Sequence, residues 1–458
     1  MILTRDKRFY KNLISLSIPI ALQNLVTFAV TLADNLMIGS LGDAAISGVY
    51  MGGQIQLLLQ FFTVGIDSAV LVLAAQYWGK RDTEAIRRAL SIGLRFSLLF
   101  GALVTLLCAT SPSLVISFFT KDEAIISEGA DYLRILAFSF PFFCLTQSLI
   151  AGMRSVERAK IGFGVSLASL ITNVFFNFIL IFGKLGLPAL GVRGAAFATL
   201  ISRVTEAVIM VIYVLFIDKR LKFRLRELLH TDKALLRDFL RYGAPIVAGQ
   251  LVWAVNNLVG SAIMGRQTGE GVVAALSIAN TLHSLGYVVM NGMSGAVGII
   301  TGKTVGAGET EKMKEYAKTV QVLFLCLGLL TGLAVFLLKN PFISLYSVTD
   351  SARSVARQLI TVAAVTLVGT CYQAACLFGL VKSGGDISFV FKNDLIFVLL
   401  IVLPAGIAAT AAHAPAWVVF ACLKADQLLK CPVAYLKIRR YDWMKNLTRA
   451  DKNNSGAE

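Results

Sequence analysis

Apolar residues run through this chain in blocks that are broken by charge, glycine or proline, and the blocks are long. They predict twelve spans, at 12 to 38, 45 to 77, 88 to 110, 128 to 152, 161 to 183, 194 to 217, 238 to 264, 272 to 302, 315 to 338, 354 to 381, 388 to 410 and 415 to 437. A helix needs about 20 apolar residues to cross a hydrocarbon core of roughly 30 Å, and these runs meet that length. The fold class they imply is an all-α polytopic membrane protein.

The spans fall into two sets of six. Gly42, Gly65, Gly79, Gly101 and Gly152 recur at one constant offset as Gly269, Gly292, Gly306, Gly328 and Gly379, and Pro19 recurs as Pro245 at almost the same offset. Self-similarity at a fixed offset marks an internal repeat. Six is even, so both halves share one topology and are expected to be related by an axis along the membrane normal. This gives an N-terminal lobe over 1–217, a basic cytoplasmic linker over 218–237, a C-terminal lobe over 238–437 and a cytoplasmic tail over 438–458.

Composition agrees with lipid as the solvent: of 458 residues 56% are apolar and 15% charged, against about 25% charge in an average soluble domain. The net charge of +16 points to nucleic acid only until it is mapped. Segments assigned to the cytoplasmic side hold 31 Lys and Arg, and those on the other side hold 6. That asymmetry places both termini in the cytoplasm and makes the first span a retained one in a cell (inner) membrane, with no nucleic-acid partner. The cations of the linker are expected to lie on anionic headgroups. The seven cysteines fall inside apolar segments without a CxxC pair, so reduced packing residues are expected rather than a metal site.

Polar groups inside lipid are expensive and therefore the first functional candidates. Asn24, Thr27, Thr31 and Asp34 lie at spacings of 3, 4 and 3 on one face of the first span, and the fifth carries Ser166, Ser169, Asn173 and Asn177 in the same manner. Asp34, Asn177 and, on the sixth span, Thr199 each lie four to six residues from the outer end, so they are expected to meet at one level. A carboxylate with amide oxygens and a hydroxyl suits a hard cation such as Na+; the carboxylate alone suits a proton. The predicted coupling set is Asp34, Asn173, Asn177 and Thr199. Candidate cavity positions are Asn24, Thr27, Thr31, Gln56, Gln60, Gln250, Trp253, Asn256, Asn280, His283 and Tyr287.

Other intramembrane charges have internal partners in prospect. Asp67 is expected to pair with Arg95, Arg203 with Glu206, and Asp394, Lys424, Asp426 and Lys430 with one another. Pro19, Pro141, Pro245 and Pro404 are expected to bend their helices. No HExxH, GxSxG or clustered His and Asp motif is present, so no catalytic residue and no cofactor is expected, and the short loops offer no recognition domain.

The residues now become specific. Pro19-Ile-Ala-Leu-Gln-Asn24, Ala33-Asp34-Asn35-Leu-Met-Ile-Gly39, Ala75-Gln76-Tyr-Trp-Gly79, Asn173-Val-Phe-Phe-Asn177 and Gly191-Val-Arg-Gly194-Ala-Ala-Phe-Ala-Thr199, in this order, resemble the multidrug and toxic compound extrusion family over about residues 10 to 437. The resemblance implies two six-helix lobes around a central V-shaped cavity. It also implies antiport of amphipathic, often cationic drugs or metabolites against inward Na+ or H+, with Asp34 as the coupling carboxylate and Asn173, Asn177 and Thr199 around it. One branch of the family has a second aspartate where this chain has Asn177, and another has carboxylates in spans seven and ten, where 243 to 264 and 354 to 381 contain none. Coupling is then expected in the first lobe alone, in a monomer. The alternatives are a flippase for lipid-linked saccharides of the same superfamily, which a cationic cavity would favour, and a membrane-embedded enzyme.

Overall fold

The computed structural model describes residues 3–229, 232–267, 271–346 and 348–449; Gly269 of the repeat, two linker positions and 450–458 of the tail lie outside them. Every long element is a helix. In lipid no water is available to the backbone, so a spanning segment must close its hydrogen bonds within itself. The first half of the chain forms α1 (Lys7–Ile38), α2 (Asp43–Gly79), α3 (Thr83–Thr110), α4 (Pro112–Ser117), α5 (Glu123–Leu136), α6 (Phe140–Ser155), α7 (Lys160–Phe182) and α8 (Gly191–Ile212). The second forms α9 (Lys233–Gly265), α10 (Val272–Gly306), α11 (Thr310–Ser344), α12 (Asp350–Gln373), α13 (Ile387–Ile396), α14 (Leu403–Ala411), α15 (Ala416–Leu423) and α16 (Asp426–Arg440).

Eleven helical segments among the described residues are long and apolar enough to cross a bilayer. The predicted twelfth span differs: α15 stops at Leu423, α16 starts at Asp426, and Lys424 caps the break. Elsewhere two irregularities adjoin prolines, while π turns over Tyr213–Ile217 and Ala374–Lys382 contain none. Pro141 lies at the start of α6, and a three-residue 3-10 turn joins α5 to it. Pro404 lies at the start of α14, after a π turn over Phe397–Val402. Pro19 and Pro245 are accommodated inside α1 and α9, each with one donor fewer in the ladder. Outward faces are greasy, as lipid requires: α3 exposes Leu99, Leu103 and Leu106 while burying Leu90, Leu94 and Cys108.

The chain forms two compact units that do not follow chain order. Unit 1 comprises Met1–Ser17, Val72–Ile86 and Val252–Glu458, and unit 2 comprises Ile18–Leu71 and Arg87–Leu251. In unit 2, α7 and α8 are adjacent and packed tightly, because a side chain at Gly194 would meet the Leu180 carbonyl oxygen at 2.5 Å. Close approach of backbones through small residues is how helices associate in lipid. The repeat is visible in such contacts. In unit 2 a side chain at Gly101 would meet Cys144 at 2.9 Å; at the repeat-equivalent positions in unit 1, one at Gly328 would meet Cys371 at 3.2 Å. All seven cysteines are free, and these two are packing residues of equivalent helix pairs. Within unit 1, Gly79 and Gly306 leave room for each other's helices: a side chain on Gly79 would strike the Lys303 carbonyl, and one on Gly306 the Gln76 carbonyl.

The described part of the linker is anchored to α3 through its acids, with Arg87 on Glu227 at 3.3 Å and Arg88 on Asp232 at 3.1 Å. The tail is held in unit 1. Gln76 of α2 donates to the Ser383 carbonyl (3.2 Å) and accepts from the Leu447 amide (2.7 Å), while Trp443 is fully buried. Asp386 binds both Lys437 (2.7 Å) and Lys445 (2.8 Å). Burial pushes its carboxyl up, but the hydrogen bonds from Lys437 and Lys445 outweigh that and hold it below the usual carboxylate range.

Gly194→Val is expected to destabilise the protein by about 1–3 kcal/mol through overpacking, seen as a lowered Tm in detergent, whereas Gly164→Ala, with nothing within 4 Å, leaves it unchanged. Because the Asp386 pKa is depressed in the folded state, its contribution is present above the unfolded value and lost as pH falls through the folded one. Asp386→Asn should reproduce that loss at neutral pH and expose Lys445 and Arg449 to trypsin; an unaltered digest would show that the ion pairs do not hold the tail.

Candidate ion and substrate site

Asp34 lies near the C-terminal end of α1, four residues before its last residue Ile38. Asn177 of α7 donates from Nδ2 to Asp34 Oδ1 at 2.5 Å and to Asn173 Oδ1 at 3.1 Å. Both asparagines are fully buried, and Asn173 Nδ2 and Asn177 Oδ1 have no partner among the described residues. Buried amide atoms left unpaired are rare and mark a place where something else can bind. Thr199 of α8 and Tyr132 of α5 line the same cavity. The structure therefore gathers the four predicted residues at one site.

The cavity, of about 460 Å³, opens within unit 2 and is lined by α1, α2, α5, α7 and α8. Such a volume falls in the range of sites for drug-sized molecules. Thr27, Thr31, Gln56 and Gln60 line it as expected. Thr27 and Thr31 donate to the carbonyls of Gln23 (3.0 Å) and Thr27 (3.3 Å) in their own helix, so their hydroxyl oxygens face the cavity as acceptors. Arg203 holds Glu206 at 2.9 Å and stands 5.1 Å from the centre of the Phe143 ring. With Asp34, Glu206 and Arg203 as the charged lining residues, the wall carries one net negative charge.

Sequence pattern does not single out Tyr132. Its ring fills the space above Gly52, where a side chain would meet it at 2.8 Å. Asp67 also departs from expectation. It accepts from Ser148 at 2.9 Å, which reaches Ser97 at 3.1 Å, and the guanidinium acting on it is that of Arg154. Arg95 donates instead to the Ser91 carbonyl one turn back (3.3 Å). Equal depth on two helices does not mean that two side chains face each other.

The remaining cavity candidates do not join the first four. Trp253, Asn256, His283 and Tyr287 line a second cavity, of about 70 Å³, inside unit 1. Asn24, Gln250 and Asn280 line neither of these two. On α1 it is the neighbour Gln23 that is buried, accepting from Arg154 at 2.7 Å. The expected charge cluster forms at the second cavity, with Lys430 holding Asp394 at 2.8 Å and Asp426 at 3.0 Å.

The MatE family model matches residues 19–179 and, a second time, 245–408. The chain belongs to the MatE family. The two matches begin at Pro19 and Pro245, the prolines that recur between the halves. Among curated relatives, the multidrug resistance protein NorM of Vibrio cholerae is 25% identical over 413 residues, 88% of each chain. A probable multidrug resistance protein NorM of Photorhabdus laumondii is 27% identical over 401 residues, 87% of each. Solved MATE structures share the fold: a mutant of the Vibrio cholerae transporter VcmN superposes with a TM-score of 0.87 at 15% identity, covering 96% of this chain and 98% of that one. A MATE protein in a bent conformation gives 0.85 at 19% identity, covering 96% and 98%. The protein is thus a multi-pass membrane protein of a transporter family.

Among the described residues, Lys430 is the one cation in ion-pair contact with both aspartates of the second cavity. Lys430→Met is expected to cost about 3–5 kcal/mol by leaving carboxylates without a partner, measured as loss of monodisperse protein on heating; a neutral effect would mean that the aspartates are compensated elsewhere.

Proposed function

We propose that this protein exports amphipathic, often cationic drugs or metabolites in exchange for inward Na+ or H+, by alternating access, with Asp34 as the coupling group. The observation that carries this reading is the carboxylate of Asp34, which stands in a drug-sized cavity against two buried amides with unsatisfied atoms. Relatives named for multidrug resistance supply the export reading.

The amides suit either ion. As a donor, Asn177 stabilises a bare carboxylate; turned about its last torsion it presents oxygen, which with the Asn173 oxygen, Asp34 and Thr199 makes a donor set for Na+. A proton needs only the carboxylate. In both cases neutralising Asp34 removes the excess negative charge of the wall, so cation binding and the binding of a cationic substrate oppose each other. A ligand shifts a conformational balance only through such differential affinity. The flippase alternative fits less well, because Arg203, the cation among the lining residues of this cavity, is already held by Glu206. The excess of Lys and Arg on one set of loops supports an inner-membrane location with cytoplasmic termini.

Reconstituted in liposomes with a sodium gradient or a proton gradient imposed separately, the wild-type protein should build a gradient of a cationic dye with one of them. Asp34→Asn is expected to abolish accumulation with the melting temperature retained. Undiminished dye transport by that variant would sink the assignment.

A further inference from the structure

Two charged side chains of the unit 2 cavity, Arg203 and Glu206, bind neither ion nor substrate in that scheme. Both line the space in which Asp34 stands. Arg203 donates from Nη1 to both Glu206 oxygens, at 3.1 and 2.9 Å, and the side chains are only 13% and 5% exposed. Taking two ions out of water inside a membrane bundle is costly, and their mutual attraction offsets that cost only in part. Elsewhere in the chain such a pair contributes cohesion, as where Lys430 of α16 holds Asp394 of α13. Arg203 and Glu206 hold no two elements together. They lie three residues apart on α8, and an ion pair within one helix adds little even to that helix.

Their placement points to another use. Thr199, Arg203 and Glu206 follow one another on α8 at spacings of four and three, so they share the face turned to the cavity. Thr199 belongs to the set gathered about Asp34, which puts Arg203 one turn from that set and one turn from Glu206. A guanidinium has five N–H donors in a fixed fork, and among the described residues the hydrogen bonds of Arg203 come from Nη1 alone. Arg203 is also the cation whose charge acts on Asp34. Its guanidinium lies 5.1 Å from the centre of the Phe143 ring, and a ring face attracts a cation while leaving its hydrogen bonds free to change partner.

The charges supply the logic. Two carboxylates and one guanidinium line the cavity, so Arg203 neutralises one carboxylate and leaves the other open. On Glu206, as in this structure, it leaves Asp34 to Na+ or H+. On Asp34 it leaves Glu206, seven residues and about 10 Å along α8 from Thr199, to the cationic end of a substrate. Each occupied form is neutral. A cation that then binds Asp34 returns Arg203 to Glu206, where it displaces the substrate. Ion and substrate exclude each other without sharing a carboxylate.

We propose that Glu206 is the counter-ion for the cationic group of the substrate, and that Arg203 covers and uncovers it by exchanging between Glu206 and Asp34. The proposal rests on the export reading for the class of substrate, and it deepens that reading by giving ion and substrate separate carboxylates.

The test uses full-length protein in lipid nanodiscs, without sodium and at one fixed pH, and reads equilibrium binding of tetraphenylphosphonium, whose charge does not titrate. Asp34→Asn leaves Arg203 no second partner and is expected to weaken binding at least about tenfold. Adding Arg203→Gln, which keeps a donor for Glu206 but removes the charge, should restore it. In the Arg203→Gln background, Glu206→Gln should then weaken binding at least about tenfold. A merely structural ion pair would change the melting temperature and give no rescue. Wild-type affinity in Asp34→Asn, failure of Arg203→Gln to rescue it, or undiminished binding without Glu206 overturns the proposal. Should the Arg203 variants not fold, a quaternary ammonium carrying a diazirine, photolysed on the unsubstituted protein and mapped by mass spectrometry, decides the matter. Label on Glu206 or its α8 neighbours supports the proposal; label on α1 around Asp34, or none, overturns it. If Asp34→Asn transports undiminished while Glu206→Gln still weakens binding in the Arg203→Gln background, coupling at Asp34 falls and the Glu206 subsite stands.

Discussion

Within a bilayer every backbone donor and acceptor must find its partner in the chain itself, and the rest of this structure is built around that demand. It makes every spanning segment a helix, and it makes each proline an event. Around Pro141 and Pro404 the chain changes to a 3-10 turn or a π turn, while Pro19 and Pro245 are carried inside long helices. The same demand reaches the side chains. Hydroxyls such as those of Thr27 and Thr31 turn back onto their own helix, so they can line a cavity without leaving a donor unmet. Against that thrift, the unsatisfied amide atoms of Asn173 and Asn177 stand out, and they stand beside the one carboxylate of α1's polar stripe.

Much of this is readable from residue order. Length and hydropathy locate spans because the lipid thickness is fixed, and helical periodicity puts Asp34, Asn173 and Asn177 on inward faces. Their common depth follows from counting residues to the span ends. What is not legible has one cause: depth and face on a single helix do not determine azimuth about the bundle. Hence Asp67 reaches Ser148 rather than Arg95, Asn24 yields its buried place to Gln23, and candidates on α9 and α10 surround a different cavity from those on α1 and α2. Tyr132 gives no signal in the sequence because its partner is an absence, the missing side chain of Gly52. The break before α16 is hidden as well, since Ala416–Leu423 and the stretch after it read as one apolar run interrupted by charges that pair.

The two cavities differ in charge balance. The wall in unit 2 carries an excess of carboxylate, whereas the two lysines and two aspartates lining the cavity in unit 1 balance. Salt bridges hold Glu206 on Arg203 in the first and both aspartates on Lys430 in the second. Low local dielectric makes such pairing strong, and makes an error in it equally costly.

The contact of Gly79 with the α10 end has its own meaning. Gly306 is the repeat counterpart of Gly79, and each glycine clears the path of the helix that carries the other. Residues that are equivalent by an internal symmetry and also touch one another mark the axis of that symmetry. The contact is therefore isologous, of the kind found at the centre of a two-fold dimer. A half-length chain carrying this glycine would present to a second copy of itself the same close, side-chain-free patch, so fusing two such copies would have required no new surface at this point.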